Sequence, residues 1–126
     1  KAKAFTSETN FIEIENVKVN KVIYKDKEAK ELKNLMDNLL HKKSMTIGIY
    51  ISTSKNKATL VIGISKDLTQ TYDAVEMVRL ATPTLGGKGG GGKVNLAQGG
   101  GSMPDKAEKA IEELIKYIKN HSLKTN

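Results

Sequence analysis

The spacing of apolar residues changes along this chain, and each change marks a candidate element. In "NFIEIENVKVNKVIYKD", Ile12, Ile14, Val17, Val19 and Val22 alternate imperfectly with polar residues, which predicts one extended segment or two short ones with a wetted face. In "DKEAKELKNLMDNLLHKK", Leu32, Leu35, Met36, Leu39 and Leu40 recur at three and four residues. That is the buried stripe of an amphipathic helix whose Lys30, Lys33, Asn34 and Asp37 face water. "MTIGIYIS" then places Met45, Ile47, Ile49 and Ile51 on one strand face, and "ATLVIGIS" does the same with Ala58, Leu60, Ile62 and Ile64, leaving Val61 on the other. The short polar "TSKNK" joins them as an antiparallel hairpin at the centre of a sheet. A lone hairpin is marginal in water, so the flanking segments must cover it.

Two further helices follow. "TQTYDAVEMVRLATPTL" is expected to start with Thr71 as its cap, to bury Ala74, Val78 and Ala81, and to end near Pro83, which cannot extend a helix interior. In "SMPDKAEKAIEELIKYIKN", Ser102 with Asp105 three positions on reads as an approximate capping box. Ala107, Ala110, Ile111, Leu114, Ile115 and Ile118 supply its apolar stripe. The expected fold is α/β: one compact domain over residues 1–126, core about 10–120. A mixed or antiparallel sheet with a central hairpin packs against about three helices, with a glycine-rich loop before the C-terminal helix. The length of 126 residues and the 38% hydrophobic content suit one core.

Between those two helices lies "TPTLGGKGGGGKVNLAQGGG", residues 82–101, which holds nine of the eleven glycines. A flexible linker carries such runs, but a linker separates two cores, and neither side here is long enough to form its own. The other use of clustered glycines is to bring backbone amides close to an anion or a flat surface. Lys88 and Lys93 add point charges, and Asn95 and Gln98 add amide groups.

Charge sharpens this picture. Lysines and arginines number 21 against 14 acidic residues, a formal charge of +7, which favours a polyanionic partner, most simply nucleic acid. With no cysteine there are no disulfides and no thiolate sites. His41 and His121 fall near helix ends without a motif-spaced partner, so no metal site is expected. "GGKGGGGK" lacks the Ser or Thr of a phosphate-binding Walker motif, and no histidine and acid are spaced for proton transfer. No run approaches the length of a membrane span, and no secretory segment follows the N-terminal lysines, so a cytoplasmic location is expected. The start at Lys1, without an initiator Met, reads as a piece of a longer chain.

The residues "LGGKGGGGKVNLAQGGG" and the helix after them resemble the glycine-rich signature of the DHHA1-type, C-Ala, domain at the C-terminus of alanyl-tRNA synthetases, a domain also found in DHH-type phosphoesterases. Gly86, Gly87 and Lys88 match its opening, Gly89, Gly90, Gly91 and Gly92 its glycine run, and Leu96, Ala97, Gln98, Gly100 and Gly101 its close. Lys93 stands where the family usually has arginine, Val94 and Asn95 replace proline and aspartate, and Gly99 stands where alanine is common. The resemblance implies a noncatalytic tRNA-binding module that docks on the outer corner of tRNA, tRNA-Ala being the expected partner. RNA contacts are expected at the backbone of Gly86–Gly92 and at Lys88, Lys93, Asn95 and Gln98, with internal pinning of the loop as the other role open to Gln98. The fragment itself is expected to hold no cofactor. ATP, Mg and Zn would belong to other domains of a parent ATP-dependent alanine-tRNA ligase. The alternative is the nucleotide- or oligonucleotide-binding domain of a DHH-type phosphoesterase. No heptad stretch lies in residues 1–11, so a monomer is expected. Should the glycine segment not meet RNA, the lysines Lys18, Lys21, Lys25 and Lys27 offer another basic face.

Overall fold

The imperfect alternation near the start resolves into two strands, β1 (Phe11–Ile14) and β2 (Val17–Lys25), paired antiparallel. Glu15 and Asn16, both in the left-handed region at φ 49° and 75°, make the two-residue turn between them. The computed structural model describes residues 11–124. Helix α1 (Ala29–Lys42) crosses over to β3 (Thr46–Ser54), which lies parallel to β2. β4 (Lys57–Ile64) returns antiparallel to β3, with Gly48 opposite Gly63 and Ile49 opposite Ile62. Helix α2 (Ala74–Ala81) follows, then β5 (Gly90–Lys93), β6 (Leu96–Gly101) and helix α3 (Ala107–Lys124). The six strands form one mixed sheet in the order β1-β2-β3-β4-β6-β5, so the predicted central hairpin sits at its middle.

Each face of this sheet has its own apolar layer. Ile47, Ile49, Ile51, Leu60, Ile62 and Ile64 point to one side and pack with Met77, Val78 and Ala81 of α2 and Ala110, Leu114 and Ile118 of α3. On the other side Tyr50 and Val61 meet Leu32 and Met36 of α1. Gly48 and Gly63 lie side by side under α1, and their missing side chains leave a notch filled by Met36; a Cβ on Gly48 would stand 2.8 Å from the Met36 Cε. Asn20 is also buried there, donating from Nδ2 to the Tyr50 Oη at 3.0 Å. Burial raises the Tyr50 phenol above the usual tyrosine range, the nearby Tyr24 adding to it.

Several expected boundaries move, each for a local reason. Thr71 does not cap α2. Asp73 does, accepting from the Val75 amide at 2.9 Å and the Glu76 amide at 3.4 Å. Ser102 does not cap α3 either: a single 3-10 turn, Pro104–Lys106, intervenes, and its N-cap Met103 makes no side-chain cap. The glycine segment is not a loop but the two strands β5 and β6. Met45 falls outside β3, at φ 50° and exposed, because its amide is held by both oxygens of Asp67 at 3.2 and 3.1 Å.

Asp67 also accepts from the Ser65 Oγ at 2.6 Å, and that Oγ accepts from the Thr46 amide at 3.0 Å. The Ser65 hydroxyl, foremost, and the Met45 amide hold the Asp67 carboxyl below its usual range. A depressed carboxyl contributes stability above its unfolded value, near about 3.9, that is lost as pH falls through the lower folded value. We therefore expect Asp67→Ala to melt below wild type at pH 7 by a small margin, Asp67 being exposed, with the gap closing below about pH 4. Thermal melts across that range check this; a gap independent of pH would remove the carboxylate from the account.

Candidate nucleic-acid interface

The site is a glycine ribbon at one edge of the sheet. α2 ends at Ala81, but the chain keeps turning: the Leu85 amide donates to the Thr82 carbonyl at 3.0 Å, Gly86 to Pro83 at 3.0 Å, and Gly87 to Thr82 at 2.8 Å. This buries Leu85 completely and delivers Gly86 and Lys88 to the surface. Gly89, at φ 96°, then turns the chain into β5. β5 pairs with β6 alone and is exposed throughout, so half of its amides and carbonyls point outward with no neighbouring strand. The turn at Val94 and Asn95 is fastened inward, the Ala74 amide donating to the Val94 carbonyl at 2.8 Å and the Ile64 amide to the Asn95 carbonyl at 2.9 Å.

Register sorts the predicted contact residues between two faces. Gly91 lies opposite Gln98, and Lys93 opposite Leu96. Since Gln98 pairs in turn with Val61, whose side chain packs under α1, Gly91, Lys93 and Gln98 share the α1 side of the sheet. Gly90 and Gly92 face the other way, toward α2: a Cβ on Gly90 would stand 2.8 Å from Val78 Cγ1, whereas one on Gly91 would meet nothing within 4 Å. Steric freedom for a ligand therefore lies at Gly91. Substitutions at Gly90 report on the α2 packing as well.

Gln98 opens on a groove of about 750 Å³ between β6 and the start of α1, where Lys27, Lys30 and Lys57 gather, tempered by Asp26 and Glu28. Among the described residues its side chain makes no hydrogen bond, so it does not pin the ribbon through one. Asn95, three positions earlier, sits in a separate depression beside Lys42, Lys43, Lys66 and Asp67. The structure thus puts Gly91, Lys93 and Gln98 on one face, while Asn95, in the turn just after Lys93, lies about 10 Å from Gln98 at strand rise and opens on the other depression. The sequence reading placed Lys27 on another basic face and Lys30 on a wet helix face and did not single out Lys57; their gathering escaped it because Lys57 lies on β4, far along the chain from the start of α1. The other basic face dissolves: strand alternation sends Lys21 and Lys25 to the α3 side and Lys18 to the α1 side.

The DHHA1 domain family matches residues 15–120. This chain belongs to the DHHA1 domain family. It is 35% identical over 106 residues to an alanine-tRNA ligase of Ruthia magnifica, covering 84% of this chain and 12% of the relative. Against the alanine-tRNA ligase of Hyphomonas neptunium it is 39% identical over 91 residues, covering 72% of this chain and 10% of the relative. This DHHA1 domain thus spans about a tenth of the length of the curated relatives it matches. Its fold is that of the C-Ala domain of Aquifex aeolicus alanyl-tRNA synthetase, with a TM-score of 0.78 and 32% identity, covering 88% of this chain and 96% of that one. A DHH-domain protein described as a member of the s1p family of ribosomal proteins shares the fold at a TM-score of 0.59 and 13% identity, covering 90% of this chain and 28% of its own.

Proposed function

We propose that this DHHA1 domain is a noncatalytic tRNA-binding module of an alanine-tRNA ligase, docking on the outer corner of tRNA, where the two loops of the L pack together. The observation that carries the reading is the solvent-facing glycine ribbon, bare at Gly91 and flanked by the exposed Lys88 and Lys93. Such a surface approaches a flat base pair or a sugar face closely, while lysines meet phosphates, which suits recognition of RNA shape over base sequence. The likeness to the C-Ala domain, far stronger than that to the DHH-domain protein, ranks this reading above oligonucleotide binding beside a phosphoesterase centre. Alanine activation and editing would fall to other domains of a cytoplasmic parent enzyme, where ATP, Mg and Zn would bind.

The test compares intact tRNA-Ala with an acceptor-stem minihelix, by titration of the 126-residue chain at two salt concentrations. Corner docking predicts tighter binding to the intact tRNA, since the minihelix keeps phosphates but lacks the joined loops. Replacing Lys88 and Lys93 by Gln should weaken binding and lower the salt slope by about one per lysine without changing the fold. Equal affinity for both RNAs after correction for phosphate number would leave only a basic domain that binds RNA by charge.

A further inference from the structure

Lys93 brings a point charge to the ribbon but not the planar fork of donors that an arginine has. The only arginine of the chain, Arg79, lies elsewhere in sequence, on α2. The fold brings it to the ribbon. Val78, the residue before it, is fully buried and packs toward Gly90 and Gly99, so this turn of α2 lies directly on the hairpin. The Arg79 Cγ stands 3.9 Å from where a Cβ on Gly89 would be, which lays the aliphatic stem along the turn that leads into β5.

The guanidinium is uncommitted. Arg79 is exposed, and among the described residues it makes no hydrogen bond or ion pair. The acid one turn back on its helix, Glu76, is engaged by the Tyr117 Oη at 2.6 Å. Arg79, beside Gly89 on the α2 side, and Lys93, on the α1 side, thus stand near the two ends of the open β5 edge, the span from Gly89 to Lys93 being about 13 Å at strand rise.

We infer that Arg79 contacts RNA through its planar guanidinium, gripping a phosphate with two donors or stacking on an unpaired base, at the end of the glycine ribbon opposite Lys93. The inference rests on the tRNA-binding reading and adds to it a residue outside the glycine signature. Lysine at position 79 would keep the charge and lose the plane.

Wild type, Arg79→Lys and Arg79→Ala, each checked by circular dichroism and thermal melting, are titrated with intact tRNA-Ala over a range of salt. Arg79→Ala is expected to lose about tenfold in affinity, within the range of one bidentate or stacking contact. Arg79→Lys should lose at least threefold while keeping the wild-type salt slope, a separation that a purely structural or purely charge-based role would not give. Affinity unchanged in Arg79→Ala, or fully restored in Arg79→Lys, overturns the inference while leaving the docking reading intact. A wild-type chain that binds tRNA no better than the minihelix overturns corner docking, and the Arg79 comparison on either RNA still reports whether the guanidinium engages it. A wild-type chain that binds neither RNA overturns both.

Discussion

Gly101→Val should cost on the order of 3 kcal/mol and lower the melting temperature by roughly 10 °C, whereas Gly91→Val, in the same ribbon, should leave it unchanged or slightly raised. A Cβ on Gly101 would be driven into the Leu85 carbonyl, 2.5 Å from its carbon and 2.7 Å from the Gly87 nitrogen, all backbone atoms that no rotamer change can move aside. At Gly91 the space is open and the backbone is not left-handed, so a β-branched residue fits a strand and removes unfolded-state freedom. The two substitutions thus separate the structural use of the glycines from their use as a surface. Gly91→Val should keep the fold and reduce the preference for intact tRNA, because its side chain projects from the α1 side where Lys93 and Gln98 also lie. Melting temperatures that fall equally for both variants would mean that the ribbon tolerates no side chain anywhere and would withdraw Gly91 as a docking probe.

The second large effect lies beneath α1. Met36→Ala should destabilise by about 3 kcal/mol, the middle of the range for emptying a buried site of this size, because its side chain is fully buried in the notch over Gly48 and Gly63. Gly63→Ala alone should also destabilise, its Cβ falling 2.6 Å from the Met36 Sδ. Together they should be milder than the sum, the added methyl entering space that the methionine has left. Denaturant unfolding of the four proteins gives the coupling directly. Strict additivity would show that Met36 and Gly63 do not share that space.

Much of this architecture was legible because side chains advertise it. The period of two in Ile47, Ile49 and Ile51 and the period near 3.6 in Leu32, Met36 and Leu39 each follow from which face of an element is buried. The glycine ribbon had no such signal. A strand of glycines has no side chains to alternate, and residues 90–93 become a strand only through pairing with β6, itself held by β4. Thr71 and Asp73 are both good capping residues; what selects Asp73 is tertiary, the Ala74 amide being drawn to the Val94 carbonyl across the structure. The candidate site was read in part for the same reason. Lys88, Lys93, Asn95 and Gln98 stood inside a motif, but the separation of Asn95 from Gln98, the gathering of Lys27, Lys30 and Lys57, and the approach of Arg79 to Gly89 depend on register and helix packing.

The fastening of the hairpin at both ends bears on how it would recognise a partner. At the turn, the Val94 and Asn95 carbonyls are tied to α2 and β4; at the base, the Met103 amide donates to the Leu85 carbonyl at 2.8 Å. A run of glycines free in solution would lose more backbone entropy on docking than any other sequence of its length. Here that loss has already been met during folding, so binding proceeds from a preorganised surface. Amide exchange along residues 90–101 should accordingly be slow before RNA is added at those amides that pair within the sheet, with little further slowing of them afterwards. The affinity gained from the glycines would then appear as a longer-lived complex rather than as a newly ordered loop.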